Sequence, residues 1–185
     1  MFNKLLSSIE KNASWKKVII LFFVSIFFGI CIITMFFGLI KLNPDATMDA
    51  GDYYNSSTFF QYLEQQGAEG RQSYLILHLF DYLYIILSTL FLIFTIYLLL
   101  RKVTHPKKIK YLSLVPFASA IFDVLENLCI DLSILFFPKK IMILANLSGY
   151  FTAIKMMVLY VSFTIVLVLI IIVIIKTIKN KLIKN

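Results

Sequence analysis

Residues 111–137 read YLSLVPFASAIFDVLENLCIDLSILFF, and the decision about this chain turns on them. The segment is long and apolar enough to cross a bilayer, whose hydrocarbon core needs about 20 residues of helix. Yet Asp123, Glu126, Asn127 and Asp131 fall within nine positions of it. Ionisable groups at that depth are costly, and they face a bundle interior or a wet cavity rather than lipid. Residues 111–137 are therefore read as a membrane helix with one functional face.

The rest of the sequence agrees. Of the 185 residues, 60% are hydrophobic, against about 45–50% in soluble domains, and the mean hydropathy is +0.87. Three more apolar runs match the first in length, giving expected spans at 18–40, 74–100, 111–137 and 150–175. Helices are the form expected, because an isolated strand would leave its backbone groups unpaired in lipid. The expected fold is all-α: one transmembrane domain over 1–185, a four-helix bundle with a partly structured outer loop at 41–73. Run 18–40 is 23 residues, longer than the roughly 7–15 of a signal-peptide apolar core. It reads as a retained span. Cys31 and Cys129 both lie inside spans, form no CxxC and read as small apolar packing residues.

Charge sets the expected orientation. Lys4, Lys11, Lys16 and Lys17 precede the first span, and Arg101, Lys102, Lys107, Lys108 and Lys110 separate the second from the third. Lys176, Lys179, Lys181 and Lys184 follow the fourth. Loop 41–73 is acidic, with Asp45, Asp49, Asp52, Glu64 and Glu69 against Lys41 and Arg71. The positive-inside rule then places both termini in the cytoplasm of a cell-membrane protein. The Pro138-Lys139-Lys140 turn, facing out, is a small exception. These cations flank spans and lack interleaved aromatics, so the bilayer, and not nucleic acid, is the partner expected of the net charge of +8.

Within the outer loop, NPDATMDAGD (43–52) has turn composition. Residues 55–67 (NSSTFFQYLEQQG) read as a short helix, with Ser56 or Ser57 as N-cap, Gly67 just past its end, and Phe59, Phe60 and Leu63 on one face. That face would lie on the membrane or roof the bundle. Gly149 is expected to break 141–175, with the crossing starting near Tyr150.

Helical spacing gathers the polar groups. Asp123, Asn127 and Asp131 stand at i, i+4 and i+8, with Glu126 beside them. Tyr74, His78, Asp81 and Ser88 form a stripe on the second span, flanked by Tyr84. Ser148, Thr152, Lys155 and Ser162 form one on the fourth. Three such stripes at one depth should face each other, enclosing a polar cavity open to the outside. The first span, with Ser25-xxx-Gly29 and Thr34-xxx-Gly38, reads as scaffold. The proposed ligand-binding set is Asp81, Asp123, Glu126, Asn127, Lys155, Arg71, Tyr74 and Tyr84. Asp131, close to the outer edge, is expected to be wetted only.

The order Gly70-Arg71-x-x-Tyr74, Asp81-x-x-Tyr84, Asp123-x-x-Glu126-Asn127, then Lys155 resembles a group of small four-pass bacterial integral membrane proteins. The resemblance spans most of 43–160 and implies the four-pass fold. That group has no established activity, so no functional residue comes with it.

Three function classes follow. The first is a membrane protein that binds or translocates a cation, a proton or a lipid-like small molecule, possible also as a homo-oligomer. The second is an enzyme of the outer leaflet, with Asp123 and Glu126 as catalytic acid and base, or with His78, Asp81, Asp123 and Glu126 as metal ligands. It lacks a nucleophile with an evident activating base, and no cofactor motif is present. The third is an assembly subunit whose partner completes the polar cluster. Beside all three stands the possibility that the polar groups simply hold helices together.

Overall fold

The computed structural model describes residues 2–38, 53–103 and 107–184. Every regular element among them is helical: α1 (Phe2–Asn12), α2 (Trp15–Gly38), α3 (Ser56–Val103), α4 (Lys107–Lys110), α5 (Val115–Leu135) and α6 (Met142–Lys184). A 3-10 turn, Tyr111–Leu114, leads into α5. Four helical stretches are long and apolar enough to cross a membrane, matching the four expected spans. The expected turn at 43–52 lies outside the described residues.

Helices α3, α5 and α6 pack on one another in all three pairings, and α2 packs on α3. The outward side of α2 remains apolar and bare, with Phe23 and Phe27 more than 60% exposed. That is the surface a lipid-facing helix requires, and it fits the scaffold role expected of the first span.

The short outer helix forms as the sequence implies. Gly67 carries φ 64°, ψ −174°, a left-handed conformation that only glycine adopts without strain, and it separates the outer turns of α3 from its membrane part. The N-cap is Asn55, one residue before the expected serines: its Oδ1 accepts from the backbone N–H of Thr58 at 3.0 Å. Asn146 of α6 accepts from the N–H of Ser56 at 3.0 Å, so a second helix supplies part of the cap. Phe59, Phe60 and Leu63 are buried with Tyr54, Tyr74, Leu77, Ile130 and Ala145. The outer helix therefore roofs the bundle.

Two elements differ from the sequence reading. Helix α6 runs unbroken through Gly149. The glycine serves close approach instead: a Cβ there would stand 2.0 Å from the carbonyl oxygen of Tyr54. The second is α1, whose pattern is amphipathic. Leu6 and Ile9 bury against Val18, Ile93, Phe94, Tyr97 and Leu98 at the end of α3 opposite the roof. Glu10 pairs there with Lys110 at 3.2 Å, Lys102 lies 5.0 Å over the Trp15 ring, and Lys176 donates to the carbonyl of Lys102 at 3.2 Å. The first residues, the basic segment after α3 and the last turns of α6 thus gather at one end. The outer helix and Lys140 stand at the other, where Lys140 pairs with Glu64 at 2.5 Å.

Two outcomes follow. Gly149→Ala forces its methyl against backbone and should destabilise the protein by about 1–3 kcal/mol, read as a lowered unfolding midpoint in detergent. At the opposite end, the Lys110 ammonium, with the Tyr97 hydroxyl, holds the Glu10 carboxyl below its usual 4.5. A depressed carboxyl contributes stability above its unfolded pKa and loses it as pH falls through the folded value. Proteolysis within α1 should therefore rise below about pH 4.5, and Glu10→Gln should abolish that pH dependence.

Candidate functional site

The polar stripes of α3, α5 and α6 meet, and they resolve into layers stacked along the bundle. Eight residues of α5 separate the carboxylate nearest the roof, Asp131, from the farthest, Asp123, a climb of about 12 Å.

The layer nearest the roof joins His78 and Asp131. His78 Nδ1 lies 2.5 Å from Asp131 Oδ1 and donates to it, and the Tyr82 hydroxyl donates to Asp131 Oδ2 at 3.0 Å. His78 is fully buried, with Tyr74 packed edge-on against its ring at 4.7 Å. Asp131 is therefore an engaged partner, where the sequence implied only a wetted residue. Its side chain retains 19% exposure, but both of its oxygens accept hydrogen bonds. Tyr82, four residues after His78 on the same stripe, was missed because the sequence reading continued that stripe through Asp81 and Ser88 instead.

The middle layer joins α3 to α5. Asn127 Nδ2 donates to Asp81 Oδ2 at 2.7 Å. Asn127 is 1% exposed, and its Oδ1 oxygen is buried with no hydrogen-bond donor among the described residues. Buried acceptors are satisfied in the large majority of cases.

The inner layer joins α5 to α6. The Lys155 ammonium stands 2.8 Å from Asp123 Oδ1 and 2.7 Å from Glu126 Oε2. Glu126 is fully buried, and its second oxygen accepts from the Thr152 hydroxyl at 2.6 Å. Asp123 is more open, its side chain 25% exposed. Ser119 donates to the backbone carbonyl of Lys155 at 3.0 Å, tying α5 to the same turn of α6.

Below these layers the packing is dry: Ile96, Leu99, Leu100 and Leu169 fill the space between α3 and α6. Tyr84 lies within electrostatic reach of Asp81 and Asp123, with its ring edge against α2 where a Cβ on Gly29 would sit 3.5 Å away. Arg71 stands outside the layers. Its guanidinium donates to the carbonyl of Leu63 at 2.8 Å and lies 3.9 Å over the Phe137 ring, fastening the roof helix across the Gly67 bend.

The metal candidates are split among the layers: His78 with Asp131, Asp81 with Asn127, Asp123 and Glu126 with Lys155. Among the described residues, no three His, Cys, Asp or Glu side chains gather into a group that could hold a metal ion.

Fold and site define a multi-pass helical membrane protein with a layered polar seam. Comparison with family models, curated proteins and solved structures gives no match for the chain.

Removing partners singly tests the inner layer. Glu126→Gln leaves Asp123 on Lys155 and should keep the fold with a small change in unfolding midpoint. Lys155→Met leaves buried Glu126 and part-exposed Asp123 without their shared cation and should cost about 3–5 kcal/mol. Combining the two should restore much of that loss, measured by unfolding in detergent.

Proposed function

We propose that the protein binds a proton or a small monovalent cation inside the membrane, in the seam between α3, α5 and α6, entered from the roofed end. The observation that carries this is the surplus of carboxylates over fixed cations among the described residues of the seam. Asp81, Asp123, Glu126 and Asp131 face one fixed cation, Lys155, with His78 able to supply a second positive charge. The Asn127 Oδ1 oxygen adds a buried acceptor beside Asp81. Crowded carboxylates in a low-dielectric interior take up protons or a cation. The ligand belongs in the middle layer, because Lys155 already compensates much of the inner one.

The apolar packing of Ile96, Leu99, Leu100 and Leu169 supports binding from one side rather than passage through the bundle. Asp123 and Glu126 both engage Lys155, which disfavours an acid–base couple working on substrate. We place the protein in the cell membrane with both termini cytoplasmic. The support is the basic character of the end where α1, the segment after α3 and the tail of α6 gather. The Gly70-Arg71 to Lys155 pattern sets it beside small four-pass bacterial membrane proteins.

Two measurements test this. In detergent, sodium, potassium or lithium exchanged against choline should raise the unfolding midpoint and release protons to a pH indicator. If the ligand is the proton itself, the midpoint should instead vary with pH whichever of these cations is present. Asp81→Asn should remove whichever response is seen. A wild-type protein that shows neither leaves the seam as packing alone. Sidedness is checked in a chain whose Cys31 and Cys129 are serine. A cysteine at Ser57 should be labelled from outside intact cells, and one at Lys179 should not.

A further inference from the structure

A second site lies away from the seam, on the roof. A pocket of about 280 Å³ opens between the outer helix of α3 and the α5–α6 turn, lined by Ser56, Ser57, Phe60, Glu64, Lys140 and Met142 among others. Its volume is below the roughly 300–1,000 Å³ of sites that enclose a drug-sized ligand, so it suits a headgroup and not a whole lipid. Its polar wall carries both signs of charge, Lys140 and Glu64, 2.5 Å apart and each about half exposed. Lys140 also stands 5.9 Å over the Phe60 ring, whose face attracts cations. Two serine hydroxyls complete the donors. On its rim are Met142, 53% exposed, and then Ile143, 72% exposed, where α6 begins its apolar course. The rim is thus continuous with the surface that α6 offers to lipid.

We propose that this pocket holds the headgroup of a zwitterionic aminophospholipid, phosphatidylethanolamine in type. The phosphate takes Lys140 and the Ser56 and Ser57 hydroxyls. The primary ammonium takes Glu64 and the Phe60 face, and the acyl chains run down beside Met142 and Ile143. Binding exchanges one half-exposed internal ion pair, itself weak, for two charge-assisted contacts to the ligand. The pairing selects by charge and by donor. An anionic headgroup brings no cation for Glu64, and a choline headgroup brings no N–H. It also accounts for Lys140 at the end of the bundle that the charge pattern leaves net acidic.

The test uses the full chain in mixed micelles with equal amounts of phosphatidylethanolamine, phosphatidylcholine and phosphatidylglycerol, the retained lipid being counted by native mass spectrometry. Phosphatidylethanolamine should be enriched roughly tenfold over phosphatidylcholine, the scale of one charge-assisted hydrogen bond. Glu64→Gln and Lys140→Gln should each bring the ratio close to parity. Both positions are half exposed, so both variants should unfold at the wild-type midpoint, and Asp81→Asn should keep the preference. Equal retention of the three lipids, enrichment of phosphatidylglycerol, or a preference that survives both variants would overturn the proposal. So would displacement of the lipid by soluble glycerophosphoethanolamine at matching concentration, which would make the site one for a free aminophosphate.

Discussion

Lys155 holds its ammonium group between part-exposed Asp123 and fully buried Glu126. Each charge alone would cost several kcal/mol at that depth, and together they compensate one another. The contact fixes more than local electrostatics. It binds α5 to α6 at one rotational setting, and Ser119 and Thr152 secure the same turns. With those two helices set, Asn127 and Asp131 of α5 turn toward α3, where Asp81, His78 and Tyr82 meet them. The order of the layers follows from this ammonium.

The seam and the roof are built on different physics. The seam is joined by charged and polar contacts whose partners are specific, so it sets which helix face meets which. The roof is joined by aromatic burial, with Phe59, Phe60, Tyr62 and Tyr74 in one cluster. That burial is tolerant in angle and gains its precision from Gly67 at the bend and Gly149 at the close approach. The roof stands over His78 and Asp131, and so governs how much water reaches them.

Much of this could be read from the sequence. Hydrophobic runs show in length alone, so the number of spans was legible. The i, i+4 spacing of Asp123, Asn127 and Asp131 identified the inward face of α5, and Gly67 marked the end of the roof helix. Partner choice was not legible. A stripe says which way a helix points, but His78 meets Asp131 rather than Asp123 because of the relative height of α3 and α5, which no local pattern encodes. Gly149 misled because a glycine needed for the close approach of another segment looks the same in sequence as one that ends a helix. Helix α1 was obscured by its lysines, which drew the segment into the charge count. Its apolar positions, Leu5, Leu6 and Ile9, were few enough to pass unnoticed.

The continuity of α6 has a mechanical consequence. Its 43 residues make a rod of about 64 Å, with the Tyr54 contact at Gly149 near one tip and Lys176 seated on the end of α3 near the other. Lys155 lies between them and acts as a fulcrum. A helix continuous over that length has no break at which to absorb a push locally. Displacement of the roof must therefore tilt the whole helix about its ion-paired centre and move the far tip the opposite way. The two ends of the bundle are thereby geared together through one rigid member.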